Sequence, residues 1–143
     1  MRFLALCSLL AVSACSTPPD PTRPAQGLYG YVRVDDEIGS TPIASLLVAA
    51  LPSTQTGAID PSTPTTPTDA HGNFSLELDV GRWRLCLVDG TTTAQCDCSV
   101  VVEAGTTIER LYLRETTFGA GVTGWNGQWH GGDPASSCNT SRK

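Results

Sequence analysis

Thr68-Asp69-Ala70-His71-Gly72-Asn73-Phe74-Ser75-Leu76-Glu77-Leu78-Asp79-Val80-Gly81-Arg82-Trp83-Arg84-Leu85-Cys86-Leu87-Val88 is the stretch that decides the fold class. Phe74, Leu76, Leu78 and Val80 alternate with Ser75, Glu77 and Asp79. A pleated strand sorts such residues onto an apolar and a polar face. After Gly81 the alternation resumes, with Trp83, Leu85 and Leu87 on one face and Arg82, Arg84 and Cys86 on the other. The stretch reads as a hairpin of two half-buried strands joined at the glycine, with Phe74, Leu76, Leu78, Trp83, Leu85 and Leu87 facing a core. Asp69 and Gly72 suit a type I turn closed by a left-handed residue, with the Asp69 carboxylate accepting backbone N–H groups. His71, Arg82 and Arg84 then belong to a turn and a solvated sheet face.

Outward from this stretch the same pattern recurs. Leu28 to Val34 alternates as a first strand, and Asp35-Asp36-Glu37-Ile38-Gly39-Ser40 is an acidic turn rather than a calcium loop. Pro42 to Leu51 is an apolar run that reads as one strand buried on one or both faces. Pro52 to Pro67 is a long Ser/Thr/Pro/Gly loop with room for an edge strand near Thr56 to Ile59. Asp89-Gly90 is a turn, and Cys98 to Glu103 and Thr107 to Arg114 are two further strands. Six or seven short strands and no helical periodicity predict an all-β sandwich. The net charge of −5 opposes nucleic-acid binding, which needs a Lys/Arg face to displace counterions.

The N-terminus is an address. Arg2, an apolar run from Phe3 to Val12 and a small-residue exit describe a signal peptide too short to span a bilayer. Val12-Ser13-Ala14-Cys15 resembles the lipobox of bacterial lipoproteins. That resemblance implies cleavage after residue 14, diacylglyceryl on the Cys15 sulfur, acylation such as palmitate on its new amine, and, with Ser16 following, the outer membrane. Several acyl chains at ~0.8 kcal/mol per buried methylene would hold the protein permanently. Ser16 to Gln26, with four prolines, is a tether in extended polyproline conformation. At ~3.1 Å per residue it would span roughly 30 Å. The expected organisation is therefore signal peptide 1–14, lipidated Cys15 and tether 15–26, β-sandwich 27–116, and a Gly/Trp tail 117–143.

Gly30-x-Val32, Gly39-x-x-Pro42-Ile43, Leu46-x-Val48, Asp69-x-x-Gly72-x-Phe74, Gly81-x-Trp83-x-Leu85 and Val100-x-Val102-x-x-Gly105 together resemble the carboxypeptidase regulatory-like domain. The resemblance implies a seven-stranded Greek-key sandwich of transthyretin-like or immunoglobulin-like form, serving as a non-catalytic accessory or binding module. Trp83 stands where tyrosine is common. Related adhesin repeats cross-link lysine to Asn or Asp, but Lys143 in the tail is the only lysine here.

Chemistry-bearing residues are few. Cys86, Cys96, Cys98 and Cys138 would remain after processing, an even number in an oxidising compartment, and read as structural disulfides. A bond from Cys86 to Cys96 or Cys98 closes a short loop, and Cys138 would pin the tail. Intradiol dioxygenases share this sandwich class and hold iron with two Tyr and two His. Tyr29, Tyr31, Tyr112, His71 and His130 supply the types without the spacing, so no metal or other cofactor is expected. No Gly-x-Ser-x-Gly elbow is present. Trp125 and Trp129 lie among glycines and amides, where they either stack on a sugar or cover a sheet edge. The expected function is a lipid-anchored, non-catalytic envelope module whose partners are the membrane and an envelope protein or glycan. A carbohydrate-binding module using Trp125 and Trp129 is the alternative, and a metal-dependent enzyme the remote one.

Overall fold

The computed structural model describes residues 22–36, 39–55, 58–115 and 127–131. Within them lie ten strands: β1 (Gly27–Asp36), β2 (Gly39–Pro42), β3 (Leu47–Pro52), β4 (Thr65–Pro67), β5 (Asn73–Glu77), β6 (Gly81–Asp89), β7 (Thr92–Ala94), β8 (Val100–Val102), β9 (Thr107–Glu115) and β10 (Gly127–Gly131). No helix occurs among the described residues. The signal peptide, Cys15, most of the tether, Trp125 and Cys138 lie outside them.

The strands form two sheets of five. In the first, β9 lies between β10 and β1, and β1 pairs along its other edge with β5 through Gly27–Tyr31 and with β2 through Arg33–Asp36. In the second, β3 lies between β4 and β6, and the far edge of β6 pairs with β8 and β7. All pairings are antiparallel except β1 with β9, which the sequence pattern did not reveal.

Both sheets turn apolar side chains to one core. Leu28, Val32, Phe74, Leu76 and Tyr112 come from the first; Val48, Ala50, Leu85, Leu87, Val100 and Val102 come from the second. The arrangement is sandwich-like. Each fully buried aliphatic side chain contributes about 1.5–3 kcal/mol, so this layer supplies the principal driving force. A smaller cluster, Ala49, Leu51, Cys86 and Val88 with Leu47 and Ile59 against it, covers the outer side of β3 and β6. Those two strands are thus buried on both faces.

The deciding stretch is not a hairpin. β5 pairs with β1 and β6 with β3, so Leu78 to Val80 carries the chain over the end of the core from one sheet to the other. Alternation reports which face is buried, and strands in opposite sheets facing one core give the same alternation as strands side by side. The indole N–H of Trp83 donates to the Asp79 carbonyl at 2.9 Å and closes this arch. Leu78 is buried, whereas Val80, which continues the same alternation, is 60% exposed.

The run from Pro42 to Leu51 is likewise two strands in different sheets. Thr68 holds the crossing between them: its hydroxyl donates to the Ile43 carbonyl at 2.6 Å and accepts the Leu46 N–H at 2.9 Å. Ser45 there has φ of 60°, so the bend is sharp. The edge strand of the long loop forms at Thr65–Pro67, after Ile59 has packed on the outer cluster.

The Asp69 turn has the expected chemistry. Gly72 N–H donates to the Asp69 carbonyl at 3.0 Å, and the Asp69 carboxylate accepts the N–H groups of His71 at 2.8 Å and Asn73 at 2.9 Å. Gly72 has φ of 75°, and a Cβ there would strike the Val32 carbonyl oxygen. Only glycine fits.

Candidate functional site

The densest set of specific interactions lies on four consecutive residues between β7 and β8. This segment has few apolar side chains and fastens itself by polar and covalent bonds. Gln95, at φ of 46°, accepts the Trp129 indole N–H on its carbonyl at 2.5 Å and the Tyr112 hydroxyl on Oε1 at 3.3 Å. Cys96 is bonded to Cys86. Asp97 donates its N–H to the Leu85 carbonyl at 2.7 Å and pairs with Arg110. Cys98 is in a disulfide whose partner lies outside the described residues. Of the four cysteines singled out from sequence, the structure thus fixes Cys86 with Cys96.

Arg110 and Asp97 were not singled out from sequence. Arg110 Nε and Nη2 donate to Asp97 Oδ2 at 2.5 Å and Oδ1 at 2.7 Å, and both side chains are 2% exposed. Such a bidentate pair fixes geometry as well as charge. Asp97 Oδ1 also accepts the Cys98 N–H at 2.7 Å. Two close backbone approaches frame the arginine: a Cβ on Gly30 would strike its carbonyl oxygen, and a Cβ on Gly131 would strike its guanidinium. The sequence signal was Arg110 itself, which interrupts the inward row Ile108, Arg110, Tyr112 on β9.

Trp129 sits on β10 opposite Tyr112. Its ring meets Phe74 edge-on at 6.0 Å and Tyr112 at 5.2 Å, and its N–H is taken by Gln95. The indole therefore covers the core beside β9. Tyr112 is fully buried, and burial pushes its phenol up to about 12, with Arg114 pulling weakly the other way.

The aromatic and imidazole groups do not converge. Tyr112 faces the core, while Tyr31 lies under the Arg33 guanidinium at 3.9 Å and Tyr29 under that of Arg23 at 5.1 Å. His71 and His130 are exposed, one in the Asp69 turn and one on β10. Among the described residues no three His, Cys, Asp or Glu side chains gather with metal-ligand geometry. Arg82 reaches Ser99 at 3.3 Å, and Arg84 is half-buried with Nη2 donating to the Gln55 carbonyl at 2.7 Å, so only the former belongs to a solvated face.

One groove of about 430 Å³ opens at the end of the sandwich where the tether meets the fold. Gln26, Pro64, Glu77, Leu78, Asp79 and Trp83 line it. Gln26 is anchored there, its amide donating to the Leu78 carbonyl at 2.7 Å and accepting the Gly105 N–H at 2.9 Å. Trp83 is half-buried, and Glu77 and Asp79 are exposed. No helix among the described residues is long and apolar enough to cross a membrane. No protein-family model, curated protein or solved structure matches this chain.

Proposed function

We propose that the protein is a lipid-anchored component of the bacterial cell envelope, held at the outer membrane through Cys15, whose β-sandwich is a binding or structural module without catalysis. The observation that carries this reading is Val12-Ser13-Ala14-Cys15, placed behind an apolar run and ahead of a proline-rich tether. The disposition of the folded part supports it. The polar side chains with the most specific geometry, Thr68, Asp69, Asp97 and Arg110, are engaged in crossings, turns and a buried ion pair. A disulfide suits an extracytoplasmic compartment.

The finer fold is a transthyretin-like Greek-key sandwich of the carboxypeptidase regulatory-like kind. Its support is the resemblance carried by Asp69-x-x-Gly72-x-Phe74 and Gly81-x-Trp83-x-Leu85, whose first glycine occupies a left-handed turn position. Cys138 is the partner of Cys98 in this reading, because Cys15 carries lipid and Cys86 is bonded to Cys96.

Growth of a bacterial host expressing the chain with radioactive palmitate tests the anchor. The wild-type protein should incorporate label and Cys15→Ala should not. Equal labelling of the two would overturn the reading.

A further inference from the structure

We propose that the groove at the tether end is a docking site for a basic peptide segment of a partner protein, receiving a lysine or arginine side chain between Trp83 and the carboxylates of Glu77 and Asp79. The groove combines an aromatic ring, two carboxylates and an apolar wall formed by Pro64 and Leu78. Among the described residues neither carboxylate has a hydrogen-bond or ion-pair partner, and no cationic side chain lines the groove. Three other acids are engaged within the fold, Asp97 with Arg110, Asp69 in its turn and Asp60 with Ser62, whereas Glu77 and Asp79 lie together in a groove beside an indole. Two uncompensated negative charges beside an indole attract an organic cation by Coulomb and cation–π terms together.

The surroundings favour a peptide over a small ion. Val80, next in the chain to Asp79, is one of only two large hydrophobic side chains that are strongly exposed among the described residues. The Trp83 N–H is already taken by the Asp79 carbonyl, so the indole lines the groove as an apolar ring rather than as a donor. Glu77 ends β5, where it pairs with Gly27 of β1, and Asp79 sits on the arch that follows, which is braced by buried Leu78 and by Gln26. The site is therefore preformed, which lowers the ordering cost of binding. This proposal rests on the binding-module reading and not on the lipid anchor.

Titration of the full, isotopically labelled chain with a blocked peptide of alternating lysine and glycine, followed by NMR, tests it. The Trp83 indole resonance and the amides of Glu77 to Gly81 should move saturably. Glu77→Gln and Asp79→Asn, both at exposed positions, should each weaken binding about fivefold, the factor for one unit charge about 4 Å away in water. Raising salt from about 20 to about 200 mM should weaken it further. Trp83→Leu should weaken binding while leaving the Asp69-turn resonances in place. Equal binding of the same peptide with its lysines acetylated would overturn the proposal, as would unchanged affinity in both carboxylate variants. Movement with a neutral disaccharide but not the lysine peptide would reassign the groove to sugars. No movement with either would leave the scaffold reading standing and remove this one, whereas loss of palmitate labelling would not touch it.

Discussion

Arg110→Ala should be among the most damaging single changes in the sandwich. Two charged groups, each 2% exposed, exchange two short hydrogen bonds, so removal of the guanidinium takes both bonds and the countercharge from a buried carboxylate that keeps the Cys98 N–H among its donors. Breaking a buried pair from one side costs about 3–5 kcal/mol. At about 4–8 °C per kcal/mol for a domain of this size, the melting temperature should fall by at least about 12 °C. Asp97→Ala should cost a similar amount, since it leaves the arginine buried. The double variant removes both charges, and its loss should fall short of the summed single losses by at least about 1 kcal/mol. Thermal and urea melts followed by circular dichroism, without reductant, measure all four corners of the cycle. Strictly additive losses, or an Arg110→Ala protein within about 1 kcal/mol of wild type, would show that the pair is not the buried fastening described above.

Gly72→Val should destabilise by about 2–4 kcal/mol, combining a left-handed φ of 75° with a clash against the Val32 carbonyl, and Gly72→Ala by less; denaturant midpoints would rank them, and equal midpoints would refute the turn geometry. Cys86→Ser should cost about 3 kcal/mol in the chain-entropy model for a bond across a separation of 10 residues, read as a lowered midpoint that reductant does not lower further through this bond. Tyr112 should ionise near 12 in the folded protein. Because its folded value lies above the unfolded value of about 10, its contribution is fully present below pH 10 and is lost as pH rises toward 12. Near-UV absorbance of tyrosinate should show one late phase, and Tyr112→Phe should remove it.

Alternation of Phe74, Leu76, Leu85 and Leu87 made the class of fold and most of its core legible in the sequence. All four lie in the main cluster together with Leu78, and Trp83 packs against it. Sheet membership was not legible, because it depends on what a strand pairs with rather than on which face it buries. The arch at Leu78 to Val80 and the crossing at Ile43 to Leu46 look like strand continuations in one dimension. The signals against continuity were weak: Ser45 and the Asp79-Val80-Gly81 sequence, each tolerant of a bend. The Asp69 turn was legible because its hydrogen bonds close within five residues. The Asp97–Arg110 pair was not, since nothing local marks two charges, 13 residues apart in sequence, as partners. Trp83 was read as core and proves to be shared between core and groove, a division that alternation cannot express.

The four residues from Gln95 to Cys98 explain why so little apolar sequence suffices at that side of the molecule. The main core draws its edge contacts there from Ala94 of β7 and from Trp129 of β10, both only partly buried. Neither edge strand has the apolar side chains to hold itself by area alone. Gln95 binds the Trp129 and Tyr112 side chains of the first sheet, Cys96 is bonded to β6 of the second, and Asp97 bridges both through Leu85 and Arg110. Covalent and charge-assisted bonds are directional, so they close the side where packing is thinnest and tie β9 and β10 to the second sheet. Loss of any one bond leaves the others to hold the two sheets. The charged pair, being the one without a covalent element and the one whose rupture strands a charge, is where the fastening should fail first.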